Sequence, residues 1–277
     1  MSNNFRFLTN ANDVIRITTL GIENLNSSQC IIYVHGFKGF KDWGFVPYTC
    51  EYFAKNGFFV ISFNFSHNGV GEELTEFTEM EKFAENTYSL EITELSEIIN
   101  AYSDNFFGKT KNDKIGLLGH SRGGAISLLT SVNKKEIGAV ALWASISKID
   151  RYTERLKKEW EENGYIEVLN TRTNQLMRLN VSLLRDIEKN NNDKLNIEKA
   201  ARELKRPLFI AQGEEDMTVP FEEAEKLYEW SDKSVTEFFR ISGTGHTFGT
   251  QHPFTGSNPK FERLLEKTTD FFKYNFS

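Results

Sequence analysis

The chain has 277 residues, enough for one large domain or a domain with an insertion, and its 39% hydrophobic and 26% charged residues mark it as globular. Its net charge is −6 with acids and bases mixed along the chain, and no basic stripe points to nucleic acid as a partner. Residues 1–7 (Met1 to Phe7) hold no apolar leader segment, and no apolar run nears the length of a membrane span. Cys30 and Cys50 are the only cysteines, so free thiols, a cytoplasmic location and no membrane partner are expected.

Taken in order, Phe5 to Leu8 and the β-branched run Val14 to Thr18 predict an antiparallel hairpin at a sheet edge. Cys30 to Val34 is a continuous apolar run, as in a strand buried on both faces, and it ends in His35-Gly36-Phe37-Lys38-Gly39-Phe40. Tyr48 to Asn56 predicts a helix with Gly57 at its end, and Phe58 to Phe65 predicts the next buried strand. Phe83 to Tyr102 has helical spacing at Leu90, Leu95, Ile98 and Ile99. After Gly138 to Ala144, another buried strand, residues 147–205 turn charged, Asn-rich and irregular, with helical pieces at 152–163, 181–190 and 197–204. Pro207 to Gly213 resumes the sheet. Pro220 to Trp230 is a helix with proline near its first position, Val235 to Ile241 a strand, and Lys260 to Phe272 a closing helix. Alternating strands and helices predict an α/β fold, with a mostly parallel central sheet and helices on both faces. The core is expected over 1–147 and 206–277, with 148–205 as a small inserted helical cap.

The stretch that organises the chain is Lys114 to Leu129, a short apolar strand, a glycine turn and a helix start. Its turn is Gly119-His120-Ser121-Arg122-Gly123, the G-x-S-x-G nucleophile elbow. The bare pattern arises by chance in roughly one chain in ten of this length, so the strand before it and the small residues after it carry its meaning. An elbow puts a serine hydroxyl on a strained bend above the sheet, and the glycines leave space that a Cβ would fill.

A serine hydroxyl needs a base within hydrogen-bond reach and an acid that orients the base. Two histidines follow the elbow. His246, in Gly243-Thr244-Gly245-His246, comes after the last predicted strand and is the expected base, ahead of His252. Glu214, Glu215 and Asp216 compete for the acid in the loop after Gly213, with Asp150 as a rival site, and local sequence alone does not separate them. The oxyanion hole needs two backbone N–H groups. Arg122, next to the serine, and Phe37, after His35-Gly36, are expected to supply them. His35 and His120 are read as structural, and His67 as a loop residue near the same edge.

Together Val34-His35-Gly36-Phe37, Gly119 to Gly124, Gly213-x-x-Asp216-x-x-Val219-Pro220 and Gly245-His246 resemble the α/β-hydrolase fold family. Within it, the chain is most similar to bacterial cinnamoyl/feruloyl-type esterases and their prolyl-oligopeptidase-like relatives, which include dienelactone hydrolases. The resemblance selects Asp216 as the acid and likens Leu183 to Glu188 and Ile197 to Ala201 to a small cap. It implies a serine esterase acting on a small-molecule ester through Ser121, Asp216 and His246, with no metal or organic cofactor. A peptidase or amidase on the same residues and a non-catalytic binding protein are the alternatives. Three positions depart from the pattern. Dienelactone hydrolases use cysteine where this chain has Ser121, so that activity is disfavoured. The loop Phe65-Ser66-His67-Asn68-Gly69 matches the usual Gly-His-Gly segment only loosely, and Gln212 stands where relatives often have histidine.

Overall fold

The computed structural model describes residues 2–73, 75–110 and 114–276; Met1, where the leader reading begins, lies outside them. The strands in chain order are β1 (Ser2–Leu8), β2 (Val14–Leu20), β3 (Cys30–Val34), β4 (Phe59–Asn64), β5 (Ile115–His120), β6 (Ile137–Trp143), β7 (Tyr165–Asn170), β8 (Gln175–Asn180), β9 (Leu208–Gly213) and β10 (Thr236–Ile241). The α-helices are α1 (Val46–Lys55), α2 (Met80–Glu85), α3 (Tyr88–Ser103), α4 (Arg122–Ser131), α5 (Glu154–Asn163), α6 (Val181–Asn190), α7 (Ile197–Glu203), α8 (Phe221–Trp230) and α9 (Pro259–Phe276).

Eight strands form one sheet in the order β1-β2-β4-β3-β5-β6-β9-β10. The edge hairpin pairs antiparallel, Phe5 opposite Ile17, and β2 runs antiparallel to β4. From β4 to β10 every pairing is parallel. The apolar runs of β3, β4 and β9 are buried at every residue, as strands covered on both faces must be. Helices α1 and α9 pack together on one face, and α4 packs on β3, β5 and β6 beside α3 and α7 on the other. No helix among the described residues is long and apolar enough to cross a membrane.

The strand order reverses at the centre. From β3 the chain steps to β4 on one side, whereas from β5 it steps to β6 on the other. Loops leaving β3 and β5 therefore diverge and leave a crevice at the carboxyl ends of the strands, where open α/β sheets bind ligands. Ser121 follows β5, and the Gly36-Phe37 loop follows β3.

Three sequence expectations change. The single helix over 83–102 is two helices, because Thr87 is extended and its hydroxyl caps α3 by accepting from Leu90 N at 3.1 Å. Pro220 is the N-cap of α8 and not its first helical residue. The excursion between β6 and β9 is not purely helical, for β7 and β8 form an antiparallel hairpin with Val168 opposite Met177. Among the large side chains of this excursion, Trp160 and Met177 are fully buried, while Leu169 and Leu176 are exposed. Tyr152 lines the cleft described below.

One buried acid is not part of that cleft. Glu94 on α3 accepts from Ser66 N at 3.0 Å and from the Ser66 hydroxyl, whose other neighbour is His67 Nδ1 at 2.6 Å. Burial raises the Glu94 carboxyl to about 7 against the pull of those hydrogen bonds, and the Glu91 and Asp13 charges raise it further. The folded chain thus holds this proton more tightly than the unfolded chain. The stability this contributes is complete below the ordinary carboxylate pKa and is lost as pH rises through about 7. Glu94→Gln, which stays neutral, is expected to gain in melting temperature relative to the parent between about pH 5 and pH 8. Parallel pH curves for the two proteins would contradict it.

Candidate active site

The elbow is built by close backbone approach. Ser121 has φ 57 and ψ −122, a conformation non-glycine residues rarely take, between the last residue of β5 and the first of α4. A Cβ on Gly119 would lie 2.3 Å from Gly123 O, and one on Gly123 would lie 2.2 Å from Val34 O. Gly36 presses on the same bend, and its Cβ would stand 3.0 Å from Ser121 Cβ and 3.6 Å from Arg122 N. The two segments named for the oxyanion hole, at Phe37 and Arg122, are thereby neighbours, and both residues line the cleft.

His246 Nδ1 stands 2.8 Å from Asp216 Oδ2. The Asp216 side chain is fully buried and its carboxylate is saturated. Oδ1 accepts from Thr218 N at 2.8 Å and Val219 N at 2.9 Å, and Oδ2 also accepts from Gln212 Nε2 at 2.9 Å. Burial pushes this carboxyl up, but His246 and the two N–H groups outweigh burial and hold it below the ordinary aspartate value. The competing acids lie elsewhere. Glu214 and Glu215 are exposed, and Asp150 pairs with Lys157 Nζ at 2.6 Å. With Nδ1 turned to a carboxylate, the Nε2 side of His246 is the side left for a proton from a hydroxyl.

Ser121 and His246 line the same cleft, which has a lobe of about 710 Å³ and a smaller one of about 90 Å³. His252, the other histidine after the elbow, is not beside Asp216. Its Nδ1 accepts from Gly44 N at 2.9 Å, and its ring stacks on Trp43 at 5.7 Å. His67 is not among the residues lining either lobe. Among the described residues no group of three or more His, Cys, Asp or Glu side chains is placed to hold a metal ion.

Some supports were not foreseen from sequence. His120 Nε2 lies 2.9 Å from the carbonyl of His246, so its N–H braces the loop that carries the imidazole. Burial, then the nearby His246, lowers the His120 ring to about 3 and keeps it neutral. Gln212 donates to Val219 O at 2.8 Å as well as to Asp216, tying both ends of the acid's loop together. From sequence, Gln212 is only a departure from the usual histidine. The Arg122 guanidinium pairs with the buried Glu91 at 2.9 Å and lies 3.8 Å over the Tyr88 ring, which anchors the first residue of α4. His35 fastens the other loop, with Nε2 accepting from Phe65 N at 3.3 Å and Nδ1 3.0 Å from Gly36 O. Gln212 lies four residues from Asp216, but His120 with His246, Arg122 with Glu91 and His35 with Phe65 join segments 126, 31 and 30 residues apart, which no sequence spacing links.

Residues 43–277 match the model of the prolyl oligopeptidase family. The chain belongs to the prolyl oligopeptidase family. Ser121, Asp216 and His246 fall inside the matched stretch, whereas Phe37 precedes it. No curated protein matches the sequence. Among solved structures, the chain is similar to the α/β hydrolase GrgF from Penicillium sp. sh18, at 16% identity and a TM-score of 0.75, over 100% of this chain and 99% of that one. It is similar to Est1E from Butyrivibrio proteoclasticus with ferulic acid bound, at 15% identity and a TM-score of 0.74, over 98% of both chains. It is also similar to a monoacylglycerol lipase from Paleococcus ferrophilus, at 14% identity and a TM-score of 0.69, over 99% of both chains. The fold is the α/β-hydrolase fold, and family and fold alike are those of hydrolases.

Proposed function

We propose that this hydrolase is a serine esterase that cleaves carboxylic esters of small molecules through an acyl-enzyme. The observation that carries the reading is the 2.8 Å approach of His246 Nδ1 to the buried Asp216, with Ser121 on its bend in the same cleft. In this reading His246 takes the Ser121 proton as Oγ attacks the ester carbonyl. The backbone N–H groups of Phe37 and Arg122 receive the developing oxyanion. His246 then gives the proton to the leaving alcohol, and water repeats the sequence on the acyl-serine. Asp216 fixes the ring so that Nδ1 carries the hydrogen it donates, and it offsets the imidazolium charge. No step calls on a metal or organic cofactor.

The family supports a second reading, a peptidase or amidase working through the same groups. The ester reading leans on the likeness to Est1E and to the monoacylglycerol lipase. We read residues 148–205 as a cap inserted in a core of 1–147 and 206–277, since β7 ends at Asn170 in the cleft lining. Free, buried Cys30 and Cys50 suit a cytoplasmic setting.

A fluorophosphonate probe is expected to label Ser121, and a panel of acyl esters run beside short peptides is expected to give turnover on esters. Peptide turnover without ester turnover would select the peptidase. Absence of labelling and of any turnover would leave a binding protein on a hydrolase fold.

A further inference from the structure

The cleft at Ser121 is charged opposite to the molecule as a whole. The chain carries 39 acids against 33 bases. Yet among the described residues the cleft is lined by Lys38, Arg122, Arg151 and Arg172 and by no Asp or Glu. Two of these cations are already paired, Arg122 with Glu91 and Arg151 with Glu223 at 2.5 Å. Even so, Arg122 Nη2 is buried with no hydrogen-bond partner.

Lys38 and Arg172 have no carboxylate partner among the described residues. Lys38 Nζ donates to the carbonyl of Leu169 at 3.0 Å, and Arg172 Nη2 donates to the carbonyl of Lys38 at 2.7 Å. These bonds fix the two side chains without cancelling either charge. The residues come from different parts of the chain, the loop after β3 and the turn between β7 and β8, and both line the small lobe with Ser121 and His246. Burial lowers the Lys38 ammonium below its ordinary value, and the Arg172 guanidinium lowers it further, so the two charges act on one another. Arg172 also lies 5.0 Å over the Trp43 ring, which sets the plane of its fork. Two like charges converging on a partly desolvated cleft repel, and an anion between them removes that cost and gains charge-assisted hydrogen bonds.

We propose that the substrate is an anionic ester, carrying a carboxylate besides the scissile ester, and that Lys38 and Arg172 bind that carboxylate. This rests on the serine-hydrolase reading of Ser121. The reaction balances as hydrolysis. Ser121 Oγ bonds to the acyl carbon, the acyl–oxygen bond to the alcohol breaks, and the alcohol leaves with the proton passed through His246. Water then adds to the acyl carbon and the Ser121 bond breaks. The second carboxylate is carried through unchanged.

The test compares kcat/KM on neutral phenyl esters, monophenyl esters of a dicarboxylic acid series, and 4-carboxyphenyl esters. Each rate is normalised to the ester's own hydroxide-catalysed rate. At least one anionic set is expected to exceed its chain-matched neutral set by about tenfold, the scale of one charge-assisted contact. That ratio is expected to fall about tenfold in Lys38→Met and in Arg172→Gln, through KM, and to survive in Lys38→Arg. In the parent it is expected to shrink as ionic strength rises from about 0.05 to about 0.5 M, a readout that needs no variant. A parent that favours neutral esters over both anionic sets overturns the proposal while the esterase reading stands. So does a preference that the variants and salt leave unmoved. If no ester is cleaved and Ser121 takes no fluorophosphonate, the esterase reading fails and the proposal fails with it.

Discussion

Ser121→Ala is expected to lower kcat on a cleaved ester by about 10⁴- to 10⁶-fold while the protein stays folded. In the proposed mechanism the loss is large because nucleophile and base act as one unit, and without Oγ the imidazole at His246 would have no proton to take. What remains is binding and any stabilisation of the oxyanion by backbone N–H groups. The fold should survive because the substitution removes one atom and adds none. The close approach of Gly36 to the elbow involves the backbone of His120 and Arg122 and Ser121 Cβ, all of which alanine keeps. The φ of 57 persists in the variant as in the parent. Turnover of a 4-nitrophenyl ester, read beside a thermal melt, checks both halves. Parent-like turnover with a parent-like melt would remove Ser121 as the nucleophile.

Gly123→Ala is expected to destabilise the protein by about 3 kcal/mol or more, or to prevent folding. Its Cβ would meet backbone only, Val34 O at 2.2 Å, His35 O at 2.5 Å and His35 C at 2.8 Å. Those atoms cannot retreat cheaply, because the end of β3 is paired with β5 from Cys30 opposite Ile115 to Val34 opposite Gly119. Gly57→Ala is the comparison. Gly57 has φ 94 but nothing within 4 Å of an added Cβ, so only conformational strain of about 1 kcal/mol is expected. Denaturant unfolding of the two variants separates steric exclusion from backbone strain, and equal losses would refute the close-approach account.

Much of the frame was legible because its signals are local. Cys30–Val34, Phe59–Asn64 and Leu208–Gly213 are apolar runs that only a sheet covered on both faces can bury. The elbow was legible for the same reason, since strand, turn and helix start fall within sixteen consecutive residues. The hairpin of β7 and β8 was missed because charged and Asn-rich residues mask a short alternation. Ile166 is buried between the half-buried Tyr165 and the exposed Glu167, and Met177 between the exposed Leu176 and Arg178. Helices α2 and α3 were merged because helical spacing runs through a break that one capping threonine makes. The supports of the site lay out of reach for another reason. The contacts of His120 with His246, Arg122 with Glu91 and Lys38 with Leu169 join distant segments, and their partners exist only once the sheet has formed.

The excursion that holds β7 and β8 leaves the sheet at Trp143 and returns at Leu208, and β6 and β9 are direct neighbours. Departure and return therefore share one pair of strands, and Val140 meets Leu208 whatever is inserted between them. The entropy of closing a loop grows only with the logarithm of its length, about 0.6 kcal/mol for each doubling. By that term alone, a change in the length of this segment costs the sheet little. In evolutionary terms, a segment that brings Asn170, Thr171 and Arg172 to the cleft is open to exchange, while Ser121, Asp216 and His246 stay in the loops that follow β5, β9 and β10.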